Sequence, residues 1–184
     1  MKNNWKEWTL FLDRDGVINK KIENDYVKKI SELEFLPNVL PALKNLSDMF
    51  GKICIVTNQQ GIGKNLYTEK DLAKVHKYML EKIENAGGRI DAIYFCPYLK
   101  ESNPICRKPK PGMAYQAKAD FPEIEFANSV MVGDQLSDME FGKNLGMTTV
   151  WIKPENIDFD KNHEDLIDYF FPSLYDFNQF IIKR

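Results

Sequence analysis

The chain has 184 residues, of which 43% are apolar and 28% charged, with a formal net charge of −2. That length suits one well-buried core and falls short of two ordinary domains, so residues 1–184 are read as a single domain. No apolar run nears the ~20 residues that cross a bilayer, and no block of Lys and Arg offers the concentrated basic surface that non-specific nucleic-acid binding needs.

The opening MKNNWKEW is not followed by the apolar stretch of a secretory leader, which points to a cytoplasmic protein. Three cysteines, Cys54, Cys96 and Cys106, are an odd number without a leader. They read as thiols, or partly as a metal site, rather than as a disulfide framework.

In chain order, the first strand is expected over residues 9–12, and it runs into Asp13-Arg14-Asp15-Gly16. Two carboxylates two residues apart at a strand end, with Gly16 allowing a sharp turn, can address one phosphoryl group. One attacks phosphorus while the other protonates the leaving alcohol and then activates water, so Asp13 is taken as nucleophile and Asp15 as acid/base. Two anions meeting an anionic phosphate require a cation, and a hard, oxygen-liganded Mg²⁺ suits such a site.

A helix over 40–50 precedes the second strand, 53–56, which leads into Thr57 and Asn58, uncharged donors suited to phosphate oxygens. The following Gly61/Gly63 loop offers backbone N–H groups for the same purpose. It is not a nucleotide-binding P-loop, because Asn58 and Asn65 stand where that pattern needs Gly and Ser or Thr. A helix over 68–86 is predicted next, capped by Thr68 with Asp71 and closed by Gly87-Gly88. Its stripe of Leu72, Val75, Met79, Ile83 and Ala86 faces the sheet.

The third strand is expected over 90–95. Arg107, Lys108 and Lys110 then occupy a stretch stiffened by Pro109 and Pro111, where Lys108 can stabilise charge on a transferring phosphoryl group. A helix over 113–118, a strand over 129–132, a helix over 137–145 and a strand over 148–152 follow. Asp134 is the third candidate carboxylate; Asp138, one turn later, orients either an ion-bound water or the lysine. The alternation predicts an α/β fold with a parallel sheet of about five strands flanked by helices. Ligands bind such a sheet at the carboxyl ends of its strands, where these segments converge. Residues 153–184 form a tail, with a closing helix over 174–181.

DRDGVIN, TNQQG, RKPKPG and VGDQLSD, in that order, resemble the motifs of the haloacid-dehalogenase (HAD) superfamily. With NDYV at 24–27 and CRKPKPGM, residues 8–152 resemble its heptose-bisphosphate and histidinol-phosphate phosphatase branch. The resemblance implies a Rossmann-like fold without a large cap domain and an aspartyl-phosphate on Asp13. It implies Mg²⁺ held by the Asp13 and Asp134 side chains and the Asp15 carbonyl. Thr57, Asn58 and Lys108 would then hold the phosphate, and Arg107 would meet the substrate beyond it.

Two departures stand out. Relatives in this branch carry a four-ligand zinc loop, of which only Cys96 and Cys106 remain here, so no Zn²⁺ is expected. Gln135 stands where heptose-bisphosphate phosphatases carry Lys. The expected partner is a small phosphorylated metabolite, with no membrane and no nucleic acid, and the protein is expected to be a monomer. Candidate substrates rank as D-glycero-D-manno-heptose 1,7-bisphosphate, histidinol phosphate and a nucleic-acid 3′-phosphate. The different class is a non-catalytic phosphometabolite-binding protein.

Overall fold

The computed structural model describes residues 4–153 and 161–183. Among these, six parallel strands form one sheet in the order β3-β2-β1-β4-β5-β6. They are β1 Thr9–Leu12, β2 Lys52–Asn58, β3 Ala92–Cys96, β4 Ser129–Gly133, β5 Thr148–Ile152 and β6 Tyr169–Phe171. The central strand β1 has Phe11 in register with Cys54 of β2 on one side and Met131 of β4 on the other.

The period of two along a strand divides the core. Leu10 and Leu12 join Val39, Leu43 and Leu46 of α1 (Val39–Met49), Met79 and Ile83 of α2 (Glu69–Asn85), and Phe177 of α5 (Leu174–Ile182). Phe11 instead joins Met113 and Ala117 of α3 (Gly112–Asp120) and Phe141 of α4 (Leu136–Asn144). Each buried Leu or Phe contributes about 1.5–3 kcal/mol of transfer free energy, and β1, covered on both faces, is buried along its whole length.

Helix α2 starts as its spacing predicts. Thr68 Oγ1 accepts the Asp71 N–H at 3.2 Å, and Asp71 Oδ2 accepts the Thr68 N–H at 3.2 Å. The helix ends before Gly87, whose φ of +84° suits glycine.

The sheet has one strand more than the sequence pattern predicts. Tyr169–Phe171 lies in a polar tail and pairs only with β5, Val150 opposite Tyr169, so its stability comes from a distant partner rather than a local pattern. Asp168 anchors it by accepting the Thr149 N–H at 2.8 Å. The predicted closing helix is present as α5. Of the tail, residues 154–160 and Arg184 lie outside the described residues. Among the described residues no helix is long and apolar enough to cross a membrane, and no separate cap layer interrupts the strand-helix alternation.

Candidate active site

Asp13 continues the β1–β4 ladder by donating its N–H to Val132 O at 2.9 Å, which fixes its carboxylate at the carboxyl end of the central strand. The chain then turns around the Arg14 carbonyl, which accepts the N–H groups of Ile18 and Asn19 at 2.9 and 3.1 Å. Gly16 takes φ +94°, and a Cβ there would stand 2.5 Å from Asp134 Cγ. Only glycine therefore lets the β1 loop and the Asp134 side chain meet. Gly133 does the same for Asp138, whose Cβ would be 2.2 Å from an added methyl.

Lys108 Nζ sits among three oxygens: Asp13 Oδ1 at 2.8 Å, Val56 O at 2.7 Å and Asp138 Oδ1 at 2.7 Å. Its three donors are all engaged. The Lys108 backbone is gripped by Asn58, whose Oδ1 accepts the Lys108 N–H at 3.1 Å and whose Nδ2 donates to Lys108 O at 3.3 Å. Asn58 thus shapes the site by holding the lysine. The peptide bond from Lys108 to Pro109 is cis.

Asp138 is buried at the start of α4, where its Oδ2 accepts the Gln135 N–H at 3.0 Å. Gln135 is the N-cap of α4. Asp134 receives Lys21 Nζ at 3.1 Å and Gln135 Nε2 at 2.9 Å, both on Oδ2. Its Oδ1 is buried without a hydrogen-bond partner among the described residues.

Three carboxylates, Asp13, Asp134 and Asp138, offer oxygens within 4.8 Å of one another. Burial, opposed by the Lys108 ammonium and reinforced by the Asp138 and Asp15 charges, pushes Asp13 up to about 6. Burial and the Asp13 charge raise Asp134 as well, against Lys21 and Gln135; burial raises Asp138, against Lys108. Burial disfavours the Lys108 ammonium, but Asp13 and Asp138 outweigh it and hold that group above the ordinary lysine value. The cluster is short of positive charge. Hard oxygen donors, an orphaned buried acceptor and unrelieved repulsion together fit a divalent cation of the Mg²⁺ type.

The Asp15 carboxylate, which lines the same cavity, is held by a buried network that sequence reasoning missed. Arg14 Nη2 donates to both its oxygens at 2.9 and 2.8 Å, Asn19 Nδ2 to Oδ1 at 2.9 Å, and Gln59 Nε2 to Oδ2 at 2.9 Å. Burial works against the Asp15 charge, yet Arg14 with these hydrogen bonds holds its pKa below the usual carboxylate value. Arg14 is fully buried, and its Nη1 lies 3.1 Å from His76 Nε2. A guanidinium only donates, so His76 accepts through Nε2. Burial and the Arg14 charge push His76 down to about 3, keeping the imidazole neutral. Gln59 also donates to Thr57 Oγ1 at 2.9 Å and accepts the Tyr67 hydroxyl at 2.5 Å.

Asp13, Asp15, Thr57, Asn58, Arg107, Lys108 and Asp138 line one cavity of about 470 Å³, with Asp134 packed beside it against Gly16. All eight sequence candidates are therefore brought together. Arg107 directs a buried Nη1 that has no protein partner. The glycine loop contributes less than its composition suggests, because Gly63 N–H is engaged by Pro97 O at 2.9 Å. Cys96 and Cys106 are joined in a disulfide with Cα atoms 5.3 Å apart, which overturns their reading as thiols. The loop between them doubles back, with Asn103 at φ +50°, and returns the chain to the end of β3. Cys54 is a buried free thiol inside β2.

A HAD-hydrolase-like family model matches residues 105–177. The D-glycero-alpha-D-manno-heptose-1,7-bisphosphate 7-phosphatase of Campylobacter jejuni is 37% identical over 171 residues, 90% of this chain and 96% of that protein. The D-glycero-beta-D-manno-heptose-1,7-bisphosphate 7-phosphatase of Helicobacter pylori (strain 26695) is 40% identical over 136 residues, 73% of this chain and 77% of that one. Among solved structures, the D,D-heptose 1,7-bisphosphate phosphatase of B. bronchiseptica, complexed with magnesium and phosphate, superposes with a TM-score of 0.83 at 25% identity, covering 96% of this chain and 98% of that one. The parallel sheet, the strand-end aspartates and these relatives agree: the chain belongs to the heptose-bisphosphate phosphatase family of HAD-like hydrolases.

Proposed function

We propose that this phosphatase hydrolyses D-glycero-D-manno-heptose 1,7-bisphosphate at C7 through an aspartyl-phosphate on Asp13. The observation that carries it is the pairing of Asp13, fixed beside Lys108 at the end of β1, with the partnerless Asp134 Oδ1 in the same cluster of oxygens. Asp13 and Asp134 side chains and the Asp15 backbone carbonyl would hold Mg²⁺, which when bound supplies positive charge to the phosphoryl oxygens. Zn²⁺ is not part of this reading.

In the first step an Asp13 carboxylate oxygen attacks phosphorus, the phosphorus–O7 bond breaks, and the leaving oxygen takes a proton from Asp15. In the second step water attacks the phosphoryl group, Asp15 takes the proton of that water, and inorganic phosphate leaves Asp13 free. Lys108, held by Asp13, Asp138 and Val56 O, presents fixed positive charge to the group in transit, with no reorganisation needed at the moment of reaction. Thr57 and the Asn58-gripped loop face the phosphate, and Arg107 meets the sugar side. Arg14, Asn19 and Gln59 favour the ionised Asp15, the form that the first step leaves and the second step uses.

The test is Mg²⁺-dependent phosphate release, compared as kcat/KM, from both anomers of heptose 1,7-bisphosphate, histidinol phosphate and a 3′-phosphorylated oligonucleotide. A preference for the bisphosphate of at least about tenfold is expected, with Asp13→Asn folded but inactive. A preference for histidinol phosphate or the oligonucleotide would overturn the substrate, and turnover by Asp13→Asn would overturn the nucleophile.

A further inference from the structure

We infer that Lys21 is a specificity-determining residue that holds the second anionic group of the substrate, away from the phosphoryl group that is transferred. The inference rests on the reading of the substrate as a sugar bisphosphate.

The cations deep in the site are already committed. Lys108 has its three donors on Asp13, Asp138 and Val56 O, and Arg14 is locked on Asp15 and His76. A second anion has to be met by cations nearer the mouth of the 470 Å³ cavity, and three line it: Lys21, Lys64 and Arg107. Lys64 Nζ lies 5.6 Å from the centre of the Tyr26 ring, and Arg107 holds a buried Nη1 without a hydrogen-bond partner among the described residues.

Lys21 differs from both because its partner is Asp134. Its ammonium is 3.1 Å from Asp134 Oδ2, which Gln135 Nε2 also reaches at 2.9 Å. The Lys21 side chain keeps 46% of its surface exposed, so it can turn towards solvent or substrate without leaving a buried site. When Asp134 gives its charge to a divalent cation, the attraction that holds Lys21 weakens and the cation itself repels the ammonium. Gln135 can stay on the carboxylate, whereas Lys21 is left needing an anion.

The backbone beside Lys21 is already ordered for such a role. Fully buried Asn19 donates Nδ2 both to Asp15 Oδ1 and to Lys20 O at 2.9 Å, and Lys20 N–H is held by Glu34 O at 2.8 Å. The same amide that positions Asp15 thus fixes the root of Lys21, so little further ordering is required on binding. The chemical group that fits is a phosphate carried on the far side of the sugar from the bond that is cut.

The experiment compares wild type, Lys21→Gln and Lys21→Arg on heptose 1,7-bisphosphate and heptose 7-phosphate, with Mg²⁺ affinity followed separately by thermal shift. The wild-type preference for the bisphosphate is expected to fall about tenfold in Lys21→Gln, mainly through KM, and to return largely in Lys21→Arg. An unchanged preference in Lys21→Gln would overturn the role of Lys21 and leave the proposed function standing. So would an equal loss on both substrates that tracks a change in Mg²⁺ affinity. No preference for the bisphosphate in the wild type would overturn the substrate reading itself, and the inference with it.

Discussion

The Lys108 ammonium lies 2.7 Å from Asp138 Oδ1, with both side chains almost wholly withdrawn from water. Removing one partner of a buried pair is costliest where the other charge is left uncompensated, and here Asp13 still compensates part of the Lys108 charge. Asp138→Ala is expected to lose about 3 kcal/mol of stability and about a hundredfold in kcat, the first near the lower limit for a broken buried pair because Asp13 still faces Lys108. Asp138→Asn keeps an acceptor for the ammonium and should retain most of that stability. Denaturant melts and steady-state rates check this; a stability of Asp138→Ala within ~1 kcal/mol of wild type would show that the pair does not support the fold.

A proton and a divalent cation compete for the Asp13 cluster. Asp13 stands raised to about 6, and Asp134 and Asp138 are raised too. A raised carboxyl pKa gives the ion-free fold stability that is present at low pH and lost as pH rises from the unfolded value of 3.8 through about 6. Mg²⁺ needs the ionised form, so its apparent affinity should be at least about threefold weaker at pH 5.5 than at pH 7.5. Calorimetric titration at the two values tests it, and equal affinities would contradict the raised carboxyls.

His76 carries the opposite sign. Its pKa is lowered from 6.5 to about 3, so its contribution is complete above pH 6.5 and disappears as pH falls towards 3. The loss is on the order of 5 kcal/mol for a group this buried. His76→Gln, which keeps an acceptor for Arg14, should show a shallower fall in stability across that window. Matching pH–stability curves for the two proteins would dismiss the imidazole as the source.

Asn178 of α5 is fully buried, and neither end of its carboxamide has a hydrogen-bond partner among the described residues. An unsatisfied buried polar group costs about 1–3 kcal/mol. Asn178→Leu should raise Tm by about 2–6 °C without altering kcat/KM. A drop of similar size would mean that the amide has a partner in solution.

The disulfide joins residues 10 apart, Cys96 at the end of β3 and Cys106 next to Arg107 and Lys108. Closing a loop of that size contributes roughly 2–3 kcal/mol. Reduction, or Cys106→Ser, should lower stability by that amount and slow turnover by loosening the strand that carries Lys108. Purified protein should hold no stoichiometric zinc by elemental analysis, and zinc bound to the reduced pair would reverse this expectation.

Residues set just past apolar runs were the legible part. Asp13, Asp134 and Lys108 stand out because charge at the end of a buried strand, or on a proline-stiffened loop, has few structural uses. The Arg14 network was harder to see, since Arg14 and His76 are 62 residues apart and meet only through the packing of α2. A signal was nevertheless present: His76 falls four residues after Leu72 and three before Met79, on the apolar stripe of α2, where a polar side chain needs a partner. Tyr169–Phe171 gave no comparable sign, because a three-residue strand is too short to show alternation. The disulfide escaped because cysteine parity says nothing about where a loop returns.

The sheet order separates two kinds of change. The nucleophile stands on the innermost strand, so altering its surroundings disturbs packing on both faces at once. Lys21, Lys64 and Arg107 stand on three different loops at one rim, and none of these three side chains belongs to the core. A lineage of such proteins could exchange one sugar ester for another by redrawing the rim while the reaction itself stayed untouched. An engineer seeking a new substrate should likewise begin at these three side chains.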